Sequence, residues 1–394
     1  MRWRPVAYTA LGLASLLVLG ATAYGWTQLS RLTGGTATTD VIEPAARPPV
    51  ATSASAPVAE QNILLVGLDS RTDVRGDPLP QSLLDQLHAG DSSDGGDTTD
   101  TMIVVHIPAS PQAPLTAISL PRDSYVEIAG GYGKHKINAA YSYGKQAELA
   151  ELNARGVRGA TAEQQADAAG ARLAIRTVEQ FTGLTINHYV AVNLAGFSTL
   201  SLAVGGVPVC LKAPVQDSYS GADFPAGWQT LSGARALAFV RQRHGLPNGD
   251  LDRIGRQQAF LSSMAKVVLG AGTLADPAKL TALIGAVQQS VEIDKGWDLL
   301  TFATQLIGPA SGALTFTTIP VRSLTLQTPS DGDAVKVDPV AVRSFISSLL
   351  GKGPATPTAP PATVARQAAE GRPAPTTTES SVPAGSTDLT GCVN

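Results

Sequence analysis

Short apolar runs alternate with longer segments of helical composition through most of this chain. The short runs are typical of buried strands, and Gly183 provides a stop signal for the second helical segment. Strands interleaved with helices predict an α/β domain built around a central sheet. The predicted strands lie at 62–68, 101–108, 114–121 and 187–193, and the predicted helices at 138–154, 161–183, 231–244, 251–269 and 277–289.

The first thirty residues follow a different pattern. Arg2 and Arg4 precede an uncharged apolar run at 5–29, and about 20 such residues are enough to span a bilayer. Because positive charge favours the cytoplasmic side, we predict a single membrane-spanning helix at 1–31, with a cytoplasmic N-terminus and an extracytoplasmic domain. A cleaved signal peptide with a cleavage site at 21–23 is the alternative, but the apolar run is long for one.

Composition divides the rest of the chain into three parts. Residues 32–60 are rich in Ala, Thr, Pro and Ser, which predicts a flexible linker. Residues 61–351 contain the predicted strands and helices and form the folded domain. The same small and polar residues dominate 352–394, which predicts a disordered tail. The two cysteines, Cys210 and Cys392, either form a disulfide that ties the tail to the domain or are unrelated.

Charge is sparse overall but concentrated at 241–258. The formal net charge is −3, from 29 basic and 32 acidic side chains, which argues against nucleic acid as a partner. The planar guanidinium group suits bidentate contacts with phosphate oxygens, although a surface network of ion pairs is the alternative. The charged residues of this segment are Arg241, Arg243, Asp250, Asp252, Arg253 and Arg256.

Other charged residues lie at the ends of predicted strands, where α/β sheets place their ligands. Arg122 and Asp123 follow one strand, Asp100 precedes another, and Asp69 and Arg71 follow the first. A few carboxylates together with substrate phosphates are what Mg²⁺ prefers, which makes Asp100 a candidate ligand. If these strand ends converge, they form a cationic pocket for a pyrophosphate and a divalent cation; otherwise each is an ordinary turn charge.

Seven motifs at these residues together resemble the LytR-CpsA-Psr family of bacterial cell-envelope enzymes. The resemblance covers about 61–270 and implies a three-layer α/β/α domain with a central mixed sheet. It also implies an extracytoplasmic phosphotransferase that attaches a glycopolymer from a polyprenyl-pyrophosphate carrier to a peptidoglycan hydroxyl, releasing polyprenyl phosphate. The motifs are NILLVGLDSR, TDTMIVVHIP, SLPRDSYVEI, KINAAYSYG, VGGVPVCL, LSGARALAFVRQRH and DLDRIGRQQ.

The resemblance also implies a role for each matching residue. Many family members carry an arginine just before the segment that contains Asp100, whereas this chain has Thr98 and Thr99 there. Asp250 is a further candidate carboxylate, because the motif DLDRIGRQQ contains two aspartates, Asp250 and Asp252. The implied metal ligands for Mg²⁺ or Mn²⁺ are Asp100 and Asp123; the implied catalytic residues are Arg122, Asp123 and Asp252; and the implied substrate-binding residues are Arg71, Lys136, Arg241, Arg243, Arg253, Arg256 and Gln257.

The implied partners are the polyprenyl-pyrophosphate-linked glycan, peptidoglycan and the cytoplasmic membrane. Apolar helices at 194–205 and 261–269 either line a groove for the lipid tail or are ordinary core. Competing functions are a polyprenyl-pyrophosphate hydrolase and a non-catalytic envelope protein that binds anionic wall polymer. The RHG triplet at 243–245 also occurs in histidine phosphatases, but there it should follow a strand, and here a predicted helix precedes it.

Overall fold

A computed structural model describes residues 35–48, 59–91, 97–110, 113–270, 276–298, 314–352 and 391–394. The predicted membrane-spanning helix at 1–31 lies outside the described residues. Within them, every helix is too short or too polar to cross a bilayer.

A seven-stranded mixed sheet forms the centre of the domain, as predicted, and short two-stranded hairpins flank it. In chain order the strands are β1 (Ala37–Thr39), β2 (Gln61–Leu68), β3 (Thr99–Ile107), β4 (Thr116–Ser119), β5 (Tyr125–Ile128), β6 (Gly133–Lys136), β7 (His188–Asn193), β8 (Val207–Leu211), β9 (Val215–Asp217), β10 (Ala222–Phe224), β11 (Gly227–Leu231), β12 (Val291–Asp294), β13 (Thr315–Thr318), β14 (Ser323–Gln327) and β15 (Asp333–Lys336). The order in the large sheet is β1-β12-β7-β2-β3-β4-β13. β2 is parallel to β7 and antiparallel to β3, so the sheet is mixed.

Helices cover both faces of this sheet and complete three layers. They are α1 (Gln81–Gln86), α2 (Ala139–Ala154), α3 (Ala160–Thr182), α4 (Leu194–Ala203), α5 (Gly233–Arg241), α6 (Asp250–Leu269), α7 (Pro277–Ser290) and α8 (Pro339–Leu349). α2, α3 and α8 cover the face on which Leu64 and Val104 are buried. α4, α6 and α7 cover the other face, which buries Ile103 and Ile293. Successive strand side chains point to opposite faces, so neighbouring residues of β3 join different cores.

The helices α2 and α3 cross at two glycines. A Cβ atom at Gly144 would lie 2.7 Å from the carbonyl oxygen of Ala169, and one at Gly170 would lie 2.7 Å from that of Tyr141. No side chain fits in such a space, so the two backbones come into direct contact. This close approach packs α2 and α3 tightly together over the first face of the sheet.

A second core lies beside the sheet, under the hairpins β8–β11 and β9–β10. Phe239 of α5 packs edge-on against Phe224 of β10, and the ring of Phe260 of α6 also lies against it. α5 and α6 carry the arginine-rich segment predicted from the sequence. Burial of their aromatic residues in this core therefore fixes the position of those arginines relative to the sheet.

The linker prediction for 32–60 is wrong for residues 35–48. β1 pairs in parallel with β12 at the edge of the central sheet, and Val41 and Ile42 are buried in the main core. The composition of the segment is an average, and it conceals these two apolar residues among small polar ones. The folded domain therefore begins before residue 61.

The prediction of a disordered tail at 352–394 is also wrong for its last four described residues. Cys392 forms a disulfide with Cys210, which settles the choice left open by the sequence. Val393 extends the pairing: its N–H donates to the carbonyl of Cys210 at 2.9 Å, and its carbonyl accepts from Lys212 at 2.8 Å. The segment 391–394 is thus part of the second core, to which Val393 contributes a buried side chain.

Candidate active site

The candidate site lies where β3 begins and β4 ends. These strands are antiparallel with Ile103 opposite Ser119, and the same register continued by three residues places Asp100 opposite Arg122. Nη1 of Arg122 is 2.5 Å from Oδ1 of Asp100. The end of α5, the start of α6 and the β9–β10 loop complete a cavity of about 250 Å³. Its lining residues are Asp69, Asp100, Arg122, Asp217, Tyr219, Ser220, Arg241, Arg243, His244 and Arg253.

Arg122 lies at the centre of the charged residues. Besides its contact with Asp100, its Nε is 3.7 Å from Oδ2 of Asp123 and 3.7 Å from Oδ1 of Asp250. Burial disfavours its charge, but the three carboxylates outweigh burial and raise the pKa of Arg122. Burial likewise opposes ionisation of Asp100, but three arginines led by Arg122 outweigh it and lower the pKa of that carboxyl. Both groups are therefore ionised at neutral pH.

Asp250, and not Asp252, is the aspartate of α6 that reaches this cluster. Its Oδ1 is 2.5 Å from Nη2 of Arg253, and burial raises the pKa of Asp250 despite the opposing arginines. Asp252 instead accepts hydrogen bonds from the backbone N–H of Asn248 at 3.0 Å and from its side-chain amide at 3.1 Å. Two residues apart on a helix means about 200° of rotation, so both cannot face the pocket. The prediction of Asp252 as catalytic is thus not supported by its position.

For two arginines of the pocket, burial outweighs the surrounding carboxylates. Arg253 is almost fully buried and its Nη2 donates to the carbonyl of Asp100 at 3.4 Å, while Nη1 of Arg241 donates to two carbonyls that follow α1. Burial lowers the pKa of both arginines, although nearby aspartates oppose the change. Among the described atoms, Nε of Arg122 and Nε of Arg253 are buried without a hydrogen-bond partner. Buried cationic donors without acceptors favour an anionic ligand.

Arg256 does not line the pocket, contrary to the prediction for it. Its Nη1 donates to the side-chain oxygen of Gln242, its Nε donates to the carbonyl of Asn394, and its guanidinium carbon lies 5.2 Å from the ring centre of Phe239. Burial lowers the pKa of Arg256 to about 10, although Asp252 and a second aspartate oppose the change. Docking of the C-terminal segment therefore covers this arginine and gives it a structural role.

Four other predicted residues surround the pocket. Nζ of Lys136 is 3.5 Å from Oδ1 of Asp123, which keeps that carboxylate between two cations. Arg71 is buried behind the wall, with Nη1 2.5 Å from Asp69 and Nε 2.8 Å from the carbonyl of Ala89. Gln257 donates to a carbonyl of α5 and lines the adjoining groove, while Arg243 is exposed at the mouth.

An apolar groove of about 340 Å³ continues from the polar cavity between the sheet and α4, α6 and α7. Both helical segments singled out in the sequence contribute to it. Asp100, Arg241 and Arg253 line the groove as well as the polar cavity, so the two spaces meet at these residues. Its apolar lining includes Leu65, Val192, Leu194, Phe197, Leu200, Leu237, Leu261, Met264, Val268, Leu283 and Val287.

The acidic residues fit a divalent cation only together with a phosphate ligand. Among the described residues, no group of three or more His, Cys, Asp or Glu side chains has the geometry of a metal site. Asp100, Asp123 and Asp250 nevertheless lie around Arg122, and the carboxylate of Asp250 is buried with its Oδ1 paired to Arg253. Mg²⁺ needs just one or two carboxylates when substrate oxygens complete its shell. The donor set therefore suits Mg²⁺ or Mn²⁺ carried with a pyrophosphate.

The second wall of the pocket has no recognisable signal in the amino-acid sequence. Asp217 at the end of β9, with Tyr219 and Ser220 of the β9–β10 loop, lines the same cavity as the arginines. A polar turn of this kind resembles any surface loop, so pattern alone could not select it. His244 also lines the pocket, and the helix α5 precedes it, so the strand that the phosphohistidine motif requires is replaced by a helix.

Sequence comparison identifies the family. The LytR_cpsA_psr family model matches residues 32–339. The cell wall biosynthesis protein LcpA of Corynebacterium glutamicum is 46% identical over 297 residues, which cover 75% of this chain and 57% of LcpA. The polyisoprenyl-teichoic acid–peptidoglycan teichoic acid transferase TagU of Enterococcus faecalis is 31% identical over 238 residues, which cover 60% of this chain and 62% of TagU. The chain thus matches less than two thirds of the length of either relative.

Solved structures share the fold at lower identity. B. subtilis TagV has a TM-score of 0.51 at 24% identity, over 74% of this chain and 97% of TagV. A LytR-Csp2A-Psr enzyme from Actinomyces oris has a TM-score of 0.51 at 20% identity, over 80% of this chain and 95% of that enzyme. Since the family model matches most of its length, the chain belongs to the LytR_cpsA_psr family.

Proposed function

We propose that this chain is an extracytoplasmic phosphotransferase that attaches a glycopolymer to peptidoglycan. The donor in this proposal is a polyprenyl-pyrophosphate-linked glycan, the acceptor is a peptidoglycan hydroxyl, and polyprenyl phosphate is released. LcpA is named for cell wall biosynthesis and TagU for transfer of teichoic acid to peptidoglycan, which supports this class of reaction.

The observation that carries the proposal is the junction of the two cavities. Asp100, Arg241 and Arg253 line both the polar pocket and the apolar groove. A polyprenyl pyrophosphate has the same two halves: a dianionic headgroup that needs cationic donors and a hydrocarbon tail that gains by leaving water. One ligand can therefore satisfy the buried guanidinium groups and fill the groove at once.

The arginines supply most of the charge that the reaction requires. Arg122, Arg241 and Arg253 present guanidinium groups to the pocket, and donors on two of them lack acceptors in the described structure. Phosphoryl transfer depends on positioning the phosphates and on neutralising charge that develops on the leaving oxygen. Because these donors are fixed before substrate binds, little reorganisation accompanies the transfer.

The residues that would hold a divalent cation are Asp100, Asp123 and Asp250. When bound, Mg²⁺ or Mn²⁺ would neutralise charge on the pyrophosphate oxygens. Asp100 is the best placed, because it lines the pocket and remains ionised beside Arg122. Asp250 offers a second buried oxygen, Oδ2, while its Oδ1 is in an ion pair with Arg253.

In the transfer step, the acceptor hydroxyl attacks the sugar-proximal phosphorus and forms a new P–O bond. The bridging P–O bond of the pyrophosphate breaks, and its electron pair leaves with polyprenyl phosphate. Both carboxylate oxygens of Asp252 accept hydrogen bonds from Asn248. The carboxylate of Asp123 lies between the cations Lys136 and Arg122. Neither proposed carboxylate is therefore a free base in this arrangement.

We further propose that the apolar run at 5–29 anchors the chain in the cytoplasmic membrane, with the N-terminus inside and the domain outside. Such an anchor would keep the groove near the bilayer that holds the carrier lipid. The disulfide between Cys210 and Cys392 supports an oxidising, extracytoplasmic location, since such bonds are rare in the cytosol.

The test is a reconstituted transfer reaction with the full chain in detergent. The protein is incubated with Mg²⁺, a polyprenyl-pyrophosphate-linked saccharide and peptidoglycan, and both products are quantified. We expect glycan on peptidoglycan and polyprenyl phosphate in equal amounts, with loss of both on chelation of the metal and in Arg122→Gln. Polyprenyl phosphate without glycosylated peptidoglycan would identify a hydrolase, and donor binding without turnover would identify a binding protein; either result overturns the proposal.

A further inference from the structure

The wall opposite the arginines is organised around one buried carboxylate. Asp217, at the end of β9, has a side chain that is 2% exposed. Its Oδ1 accepts from the backbone N–H of Tyr219 at 3.0 Å, and its Oδ2 accepts from the hydroxyl of Ser220 at 2.8 Å. These bonds fix the carboxylate, and its Oδ1 also faces the ring of His244 at 3.7 Å from Nδ1.

His244 is the described imidazole that lines the pocket. Half of its side chain is exposed, and its carbonyl accepts from Gln242 at 3.1 Å, which holds the loop after α5. The ring of Tyr219 lies 4.5 Å from the imidazole, centre to centre, and the tyrosine is 76% exposed. An exposed aromatic ring beside a polar pocket is costly to leave in water and is a common element of binding sites.

We propose that His244, Asp217 and Tyr219 form the acceptor side of this site. His244 takes the proton from the acceptor hydroxyl, Asp217 positions the imidazole, and the face of Tyr219 packs against the acceptor sugar. The proposal rests on the transferase function above, and it names the residues that receive the second substrate. The arginine wall binds the donor, and the β9–β10 wall binds the acceptor across the same cavity.

The proton balance follows from the two ring nitrogens. Nδ1 faces the carboxylate of Asp217, so it carries the proton of the neutral ring and leaves the lone pair of Nε2 for the pocket. Nε2 accepts the hydroxyl proton while the acceptor oxygen bonds to phosphorus and the bridging oxygen leaves with its electron pair. The imidazolium is stabilised by Asp217 and then releases its proton to water. A base and its positioning partner are often further apart before substrate binds than during reaction, which fits the 3.7 Å separation.

Tyr219 has the geometry of a sugar platform. Tyr219 is 76% exposed beside His244, and the electron-rich face of an aromatic ring attracts the polarised C–H groups of a sugar. Because the loop is fixed by Asp217, the ring is held in place before the acceptor arrives. Tyr219 therefore contributes to acceptor affinity and leaves donor affinity unchanged.

The first experiment separates donor binding from transfer in the full-length protein. Affinity for farnesyl pyrophosphate reports the donor side, and peptidoglycan glycosylation reports the whole reaction. We expect His244→Gln to keep donor affinity within about twofold and to lower kcat by a factor of about a hundred or more, the usual contribution of a positioned base. His135→Gln is the control, since His135 pairs with Asp331 at 3.0 Å outside the walls of the pocket.

The second experiment measures the pH profile of transfer. An imidazole base must be neutral to act, so transfer by the wild-type chain declines on acidification, and His244→Gln removes that decline. Asp217→Asn lowers kcat and displaces the decline along the pH axis, and a purely structural role would not cause that displacement. The charged or titratable groups that share the cavity with His244 are Asp69, Asp100, Arg122, Asp217, Tyr219, Arg241, Arg243 and Arg253.

The third variant tests the platform. Tyr219→Ala should raise the KM for peptidoglycan about tenfold at constant donor KM, and Tyr219→Phe should restore it, because the face of the ring is retained. Trp228→Ala is the matched control: Trp228 is 70% exposed on β11 and lies in a separate cavity.

The outcomes distinguish this proposal from the transferase function itself. If the wild-type chain transfers glycan and His244→Gln does so at the same rate with the same pH profile, the acceptor-side assignment is wrong and the transferase function stands. Loss of farnesyl pyrophosphate binding in His244→Gln would also overturn the assignment, because it would place His244 on the donor side. If the wild-type chain transfers nothing, the underlying function fails first.

Discussion

This domain contains two clusters of buried charged side chains, and they differ in how many of their charged groups have a partner within the protein. On the face of the sheet covered by α2 and α3, the side chain of Lys145 is 2% exposed. Its Nζ lies 3.0 Å from carboxylate oxygens of Asp97, Glu163 and Asp167. Burial opposes its charge, but the carboxylates outweigh burial and raise the pKa of Lys145. The cation has three partners in contact and needs no further ligand.

The arginine cluster, at the start of β3 and the end of β4, has fewer of its hydrogen bonds satisfied. Nε of Arg122 and Nε of Arg253 are buried without described hydrogen-bond partners, and burial lowers the pKa of Arg253. Unsatisfied buried groups cost free energy in the folded state, so they persist where a ligand completes them. Burial of charge alone therefore does not identify a functional site. What distinguishes Arg122 and Arg253 is that their unmet donors belong to side chains that line a cavity.

The largest expected effect is on transfer by Arg253→Gln. This change removes a guanidinium group that lines both the pocket and the groove, and we expect kcat/KM for the donor to fall by a factor of about a thousand or more. Arg256→Gln is the matched control on the same helix, because Arg256 binds Gln242 and the C-terminal segment. Its variant should lose stability while transfer per folded molecule changes much less. Equal losses of transfer in both variants would contradict the assignment of the two arginines.

Lys145→Met should have the reverse profile. Removing one partner of a buried charge network costs about 3–5 kcal/mol of unfolding free energy, because three carboxylates then lose their cation. Transfer per folded molecule should stay within about twofold of the wild type. Chemical denaturation measures the first quantity, and an assay normalised to folded protein measures the second. Lys134→Met, at an exposed lysine of β6, should change stability by less than about 0.5 kcal/mol.

Much of this arrangement could be predicted from the sequence, because the motifs occur at element ends. Asp100 and Arg122 were both selected, and the antiparallel register of β3 and β4 then brings them together. The central sheet follows from the alternation of apolar runs and helical segments, whereas its mixed strand directions are implied by the resemblance to the LytR-CpsA-Psr family. These features depend on local pattern and on sheet geometry, both of which a sequence reveals.

Other features depend on long-range packing that no local pattern encodes. The sequence could not decide between Asp250 and Asp252, because the choice depends on the rotation of α6 about its axis. In the sequence, Arg256 and Arg253 are equivalent candidates. In the structure, the disulfide holds the C-terminal segment against Arg256, and this segment covers its guanidinium group. Asp217 was missed because its role depends on a loop that faces the arginines only after the second core has formed.

A smaller effect is expected on the pH dependence of the unfolding free energy, and it arises from Glu292, which lies near Asp167 of the Lys145 cluster. Burial, together with the charge of Asp167, raises the pKa of Glu292 to about 7, while a hydrogen bond from Thr39 opposes the change. The folded state therefore favours the protonated acid, and this contribution to stability is present below pH 4.5 and lost as the pH rises through 7.

We expect Glu292→Gln to remove this loss, so that between pH 5 and pH 8 its unfolding free energy declines by about 2–3 kcal/mol less than that of the wild type. Denaturant unfolding at the two pH values gives the difference directly, and other titrating groups cancel in the comparison. Glu127→Gln, at an exposed position of β5, serves as the control and should retain the wild-type dependence. A wild-type dependence in Glu292→Gln would mean that Asp167 carries the effect.

The smallest effect concerns the groove that completes the arginine cluster. Met264 of α6 lines this groove, and the Lys145 cluster has no such apolar groove beside it. Met264→Asn therefore alters the site for the lipid tail and leaves the charged residues unchanged. We expect affinity for farnesyl pyrophosphate to fall about tenfold, the cost of losing one apolar contact of this size, while affinity for inorganic pyrophosphate stays unchanged. Val340→Asn, at an exposed valine of α8 on the face covered by α2 and α3, should alter neither affinity. If the lipid tail binds in the groove, Met264→Asn weakens binding of farnesyl pyrophosphate more than binding of inorganic pyrophosphate. Equal losses of affinity for these two ligands would show that the polar pocket alone binds the donor.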